Sequence, residues 1–323
     1  MLDEKLISQI VDEVLHELAP AKETRQDHIQ APAQGQALEP PKSKSTQKSV
    51  PPPFAAPLCH TPPPGCILPG STVDLASPEA KAEILLCNPA DRDELIRMKA
   101  HTTARIGVGR CGPRLNTRTM LTLRADHAAA RDSVFADVDQ GLLDRMGLFT
   151  VQTKCRDKNE FLTRPDLGRQ FDEEAVAVIA AKCRKNPDVQ IYAADGLSST
   201  AVSANLANIL PVMMDGLTAK GLTVGTPFFV RFGRVASMDQ ISEVLGARVT
   251  CVLLGERPGL ATAESMSAYI AYKAKAGMPE ARRTVVSNIH KAGIAAVEAG
   301  AYICDVIETI LNAKASGVEL KTR

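Results

Sequence analysis

The chain has no tryptophan, and aromatic residues make up only 4% of its 323 positions. Few flat rings are available to stack on bases. With a net charge of +1 and no basic stripe interleaved with aromatics, the sequence excludes nucleic acid as a partner class. It also lacks any apolar run of about 18 residues and any charged-then-apolar leader, so it predicts neither a membrane span nor a secretory signal. The eight cysteines are scattered, without a C-x-x-C pair or histidines at zinc-finger spacing. That pattern predicts reduced structural thiols in a cytosolic protein, and no metal site.

What is present is an apolar content of 45%, enough for a sizeable core. Four polar turns recur in the C-terminal part, each after an apolar stretch of strand length. They are Asp195-Gly196-Leu197-Ser198-Ser199, Phe232-Gly233-Arg234-Val235, Gly255-Glu256-Arg257-Pro258-Gly259 and Ser287-Asn288-Ile289-His290. The stretches ahead of them are 189–194, 227–230, 249–254 and 284–286. Helical patterns follow the first, second and fourth turns, at 200–220, 238–245 and 295–315. Ser237 and Gln240 stand at capping-box spacing before the second helix, and Gly317 is placed to close the last. Strands alternating with helices predict an α/β fold: a Rossmann-like, open, mostly parallel sheet over 187–323, after an N-terminal helical portion at 73–186. All four turns would then emerge on one edge, where open α/β sheets hold ligands.

Within the N-terminal portion, 79–100 and 116–138 read as helical, the first interrupted by Pro89, and a further helix is expected at 171–185. Ahead of it, apolar residues at Leu2, Leu6, Ile10 and Val14 give an amphipathic helix over 1–19. Residues 20–72 carry twelve of the 21 prolines, three of them in Pro51-Pro52-Pro53 and three in Pro62-Pro63-Pro64. Such a stretch buries too little to offset its ordering entropy and reads as a disordered linker. A helix on so long a tether suits docking on another protein. Packing on the main domain or self-association are the plainer readings.

Gly107-Val108-Gly109-Arg110-Cys111-Gly112 fits G-x-G-x-x-G, the letters of a dinucleotide fingerprint. A nicotinamide-dependent oxidoreductase is therefore the alternative function. Against it, 102–106 makes a poor strand and Pro113 falls where the helix should be under way. Because Arg105, Arg110 and Arg114 make the segment basic, we read it as a subunit contact. Ser198 or Ser199 reads as a helix cap at a terminus that also favours anions. Glu256, between Gly255 and Arg257-Pro258-Gly259, is either a solvated carboxylate or an acceptor for amide and hydroxyl groups. Asn288-Ile289-His290-Lys291-Ala292-Gly293 is similar to the D-x-H-x-x-G signature, in which a histidine replaces the nucleotide base beneath cobalt in cobalamin. Its aspartate is missing, so a bound cobalamin would keep its own lower base. No nucleophile–base arrangement or carboxylate pair stands out, and we assign no catalytic residue.

Seven segments together carry a family resemblance. They are Leu-Thr-Arg-Pro-Asp-Leu-Gly-Arg at 162–169, Asp-Gly-Leu-Ser at 195–198, Val-Gly-Thr-Pro-Phe-Phe-Val-Arg at 224–231, Gly-Arg-Val at 233–235, Gly-Glu-Arg-Pro-Gly-Leu at 255–260, Ser-Asn-Ile-His at 287–290 and Lys-Ala-Ser-Gly at 314–317. In this order they resemble the small (light) subunit of ethanolamine ammonia-lyase, from about residue 73 to the end. The resemblance implies an adenosylcobalamin-dependent lyase that turns ethanolamine into acetaldehyde and ammonia by radical elimination. It implies a catalytic large subunit as obligatory partner, with cobalamin at the interface. By the same resemblance Val235, Glu256 and Val285 contact cobalamin. Where this chain has Val285 the family often has cysteine, so this position can offer packing or backbone groups but no thiol. The resemblance further implies the bacterial cytoplasm, inside a microcompartment, with residues 1–18 addressing a shell or cargo protein.

Overall fold

The computed structural model describes residues 74–75 and 77–320; the helix expected at 1–19 and the linker at 20–72 lie outside them. The described elements are α1 (Pro78–Ala82), α2 (Arg92–Ala100), β1 (Arg110–Cys111), β2 (Arg114–Leu115), α3 (Thr117–Phe135), α4 (Gln140–Arg145), β3 (Phe149–Gln152), α5 (Lys158–Thr163), α6 (Glu173–Lys182), β4 (Val189–Ala194), α7 (Ser199–Ala219), β5 (Phe228–Arg231), α8 (Ser237–Leu245), β6 (Val249–Gly255), β7 (Met266–Tyr272), β8 (Thr284–Ile289) and α9 (Ala296–Ala313). Local chemistry starts most of the helices. Ser77, Asp91, Asn116, Asp139, Asp157, Asp172 and Ser198 each accept a hydrogen bond from a backbone N–H in the first turn that follows. These side chains satisfy donors that a helix start leaves open.

Two terminal signals are corrected. The side chain of Ser237 does not cap α8, which begins after Ala236 without a side-chain cap. Instead its hydroxyl pairs with Tyr192 Oη at 2.9 Å, and Gln240 Oε1 accepts the Phe171 N–H at 2.9 Å. Burial against β4 outcompetes the cap. At the other end, Lys314 rather than Gly317 takes the left-handed position that ends α9.

The main sheet has six strands in the order β3-β5-β4-β6-β7-β8. Pairings β3–β5, β5–β4 and β4–β6 are parallel, whereas β6–β7 and β7–β8 are antiparallel. The fold is thus α/β with a mixed, mostly parallel sheet. β3 comes from the stretch expected to be helical. β7 arises between the third and fourth apolar stretches, and its antiparallel return makes β8 run the same way as β6.

Alternate residues of each strand feed two cores. Ile191, Phe229, Leu253, Ala268 and Val286 face one side and pack with Leu206, Met213, Ile303 and Ile307 from α7 and α9. Tyr192, Phe228, Val252 and Ala271 face the other and pack with Ile179, Met238 and Ile241 from α6 and α8. The helices α7 and α9 approach closely because Gly216 and Gly300 face the partner helix. A Cβ on Gly216 would sit 2.9 Å from Cys304 Sγ, and one on Gly300 would sit 3.2 Å from Ile209 O.

Candidate functional site

Strands β4, β5, β6 and β8 share one direction, so the four polar turns do gather on one edge of the sheet. A cavity of about 460 Å³ opens there. Its walls include Leu197, Val235, Glu256, Arg257 and Tyr269, with Phe161 from α5. Three of the turns line it; the fourth does not.

The turns are locked to one another through Asp195, whose side chain is only 3% exposed. Its Oδ2 accepts the Phe232 N–H at 3.0 Å and its Oδ1 accepts the Gly233 N–H at 3.1 Å. Phe232 is left-handed, with φ of 58°, a conformation that L side chains avoid. The carboxylate, together with Thr153 Oγ1 donating to Phe232 O at 3.0 Å, holds it there. The result turns Gly233, Arg234 and Val235 into the cavity wall. Gly196 completes the junction, since a Cβ there would lie 2.3 Å from Gly255 O. Burial raises the Asp195 carboxyl above its usual range, opposed by the charge of Lys158 and by backbone N–H donors. Lys158 Nζ lies 3.7 Å from Asp195 Oδ2, over the rings of Phe161 and Phe232.

Glu256 is half-buried and does not simply wave in solvent. Its Oε2 accepts from Ser265 Oγ at 2.7 Å and its Oε1 from Ser267 Oγ, while its N–H donates to Ser265 O at 3.0 Å. These hydroxyls fix one orientation and leave acceptor capacity on both carboxylate oxygens. Burial, then the nearby Glu256 charge, raises the Tyr269 phenol. Val235 is part of the same wall. Val285 is not, but it pairs directly with Tyr269 across β7 and β8 and is 45% exposed. Direct cross-strand partners share a face. Val235 and Glu256 therefore share the cavity, and Val285 stands outside it on the Tyr269 face of the sheet.

The remaining motifs resolve as follows. Ser198 is the cap of α7, accepting the Ala201 N–H at 3.1 Å while donating to Ala263 O at 2.6 Å. His290 is committed within its own turn: its Nδ1 accepts the Ala292 N–H at 3.2 Å, so Nε2 carries the proton toward Asn288 Oδ1 at 2.8 Å. The glycine segment 107–112 is not a strand–turn–helix. Arg110–Cys111 pairs with Arg114–Leu115 as a short antiparallel hairpin, and the next helix starts only at Thr117. A nicotinamide fingerprint is thereby overturned, because Gly112 and Pro113 serve the hairpin turn.

Sequence reasoning missed Phe161, Tyr269 and the serines that hold Glu256. Ser265 and Ser267 are two apart ahead of and within a strand, the spacing that aims both at one side, so their pairing was detectable once β7 was known.

Residues 92–321 match the family described as Ethanolamine ammonia-lyase light chain. An ethanolamine ammonia-lyase small subunit of Clostridium tetani is 58% identical over 252 residues, 78% of this chain and 85% of that protein. One of Fusobacterium nucleatum is 46% identical over 321 residues, 99% and 100% of the two chains. One of Clostridium perfringens is 55% identical over 248 residues, 77% and 84%.

Proposed function

Because the chain belongs to the ethanolamine ammonia-lyase light-chain family, we propose that it is the part of that lyase which holds one edge of adenosylcobalamin against a substrate-binding large subunit. The observation that carries this reading is that Val235 and Glu256, distant in sequence, line one cavity on the ligand edge of the sheet.

The residues fit such a ligand. Apolar surface from Leu197, Val235 and Phe161 suits a macrocycle edge, and the oriented Glu256 carboxylate suits the N–H groups of its amide side chains. Pockets for drug-sized ligands run about 300–1,000 Å³. A corrin with its nucleotide tail is larger than such ligands. A cavity of about 460 Å³ can therefore cover only part of it, and a second chain must cover the rest. With both His290 nitrogens engaged, we read the cofactor as retaining its own lower base. When bound, adenosylcobalamin supplies the radical chemistry. The chain's own residues orient the ligand and keep water from one side. Val285 adds apolar contact beside Tyr269.

In this reading the sheet and its helices are a Rossmann-like core over 187–323, extended by β3 from the 73–186 portion. Residues 1–19 act as a microcompartment address on the 20–72 tether, in the bacterial cytoplasm.

Glu256→Gln tests the site. Hydrogen bonds to a charged group are worth roughly 1.5–3 kcal/mol, so cobalamin affinity of the assembled enzyme should fall by about one to two powers of ten. Spectral titration of the assembled complex, beside a melt without cofactor, reads the effect. Unchanged affinity would remove Glu256 from the site.

A further inference from the structure

A second cavity, of about 420 Å³, lies away from the first. It is walled by α1, by the end of α2, by Arg105 and Val108, by Thr119 and Thr122 of α3, and by Leu260 and Ala261. Its walls are mainly apolar, yet three cations stand in them: Lys81, Lys99 and Arg105. The ion pairs leave positive charge over. Asp126, with a side chain 1% exposed, takes both Lys81 at 2.9 Å and Arg105. Glu83 is bound by Arg118 at 2.6 Å. Lys99 has no carboxylate among the described residues and rests its amine on Ile106 O at 3.1 Å. Burial, then repulsion from Arg105, lowers its pKa. Lys99 is only partly buried, but a cation drawn partly out of water without an anion is still a place where an added carboxylate gains.

The surroundings decide what brings that carboxylate. In the wall, Ile96 is 49% exposed and Leu260 42%. A small anion would leave those side chains in water. A protein surface would cover Ile96 and Leu260 at the cavity wall, and exposed apolar groups beside a charged pocket suit such a surface. We propose that this cavity is a socket for an acidic side chain of the large subunit, set among apolar neighbours, anchoring assembly independently of the cofactor. The proposal rests on the reading that the chain works with a large subunit, and it gives the basic segment around Arg105 a definite role.

Lys99 allows a clean test because changing it breaks no ion pair among the described residues. Lys99→Glu should weaken assembly with the large subunit, measured by sedimentation at low salt, by about tenfold or more. Lys99→Met should weaken it less, and added salt should narrow both differences. At saturating large subunit the cobalamin affinity of both variants should match the natural chain, which separates this socket from the cofactor site. An unchanged assembly constant for folded Lys99→Glu would overturn the proposal. So would a thermal shift of the natural chain by millimolar inorganic phosphate, absent in Lys99→Glu, with assembly unaffected; the cavity would then be a small-anion site. Altered self-association instead of altered assembly overturns it as well. Failure of the natural chain to assemble at all would overturn the functional reading and this inference together.

Discussion

Asp195 shows how one side chain can set a cavity wall without lining the cavity. Two buried N–H groups depend on it, that of Gly233 and that of Phe232, which is held in a conformation it would otherwise leave. Asp195→Ala abandons both donors, each costing about 1–3 kcal/mol when unmet. We expect a loss of roughly 3 kcal/mol in denaturant melts, with Asp195→Asn milder because its amide oxygen still accepts one bond. Both should weaken cobalamin binding through the displaced 232–235 turn. A variant with full stability would show that the clamp is idle. The sequence pointed at this residue only as the start of a turn, because hydrogen-bond partners 37 positions apart leave no periodic trace.

Among the strands, β4, β5, β6 and β8 were legible and β3 and β7 were not. β4, β5 and β6 are almost wholly buried, since helices cover both faces, so they read as nearly continuous apolar runs. β7 is Met-Ser-Ala-Tyr-Ile-Ala-Tyr, whose alanines suit a helix as well as a strand, and β3 is a four-residue edge piece. With β7 unseen, Tyr269 and the grip on Glu256 could not be placed. The base of the sheet carries its own staple. Asp188, just before β4, accepts from Thr223 N at 2.9 Å, Thr223 Oγ1 at 2.7 Å and Arg248 Nη1 at 2.6 Å. The N–H and hydroxyl of Thr223, then Arg248, hold its carboxyl below the usual range. A depressed folded pKa stabilises above the unfolded value and is lost as pH falls through the folded one. Asp188→Asn should therefore destabilise by about 1–3 kcal/mol near neutrality. The gap to the natural chain should close under acid, at pH below the ordinary aspartate value. Melts of both proteins across pH 2–7 would check this, and a gap that stays constant would count against it.

At the scale of the molecule, the cysteines follow from the layering. Cys155, Cys183, Cys251 and Cys304 are buried, whereas Cys87 and Cys111 are exposed. Burial raises all four inner thiols, Cys183 to about 11. A thiol-specific reagent should label Cys87 and Cys111 within minutes at neutral pH and the buried four only as fast as the chain unfolds. Mass mapping of labelled peptides reads this, and rapid labelling of Cys251 would contradict the central position of β6. The loop between β6 and β7 has a different kind of reach. It presents Glu256 and Arg257 to one cavity and Leu260 and Ala261 to the other, and Ser198 Oγ holds its Ala263 carbonyl at 2.6 Å. Fastened there, the segment acts as a spacer: a partner surface that meets both cavities has to match their separation, while either cavity can be filled without the other.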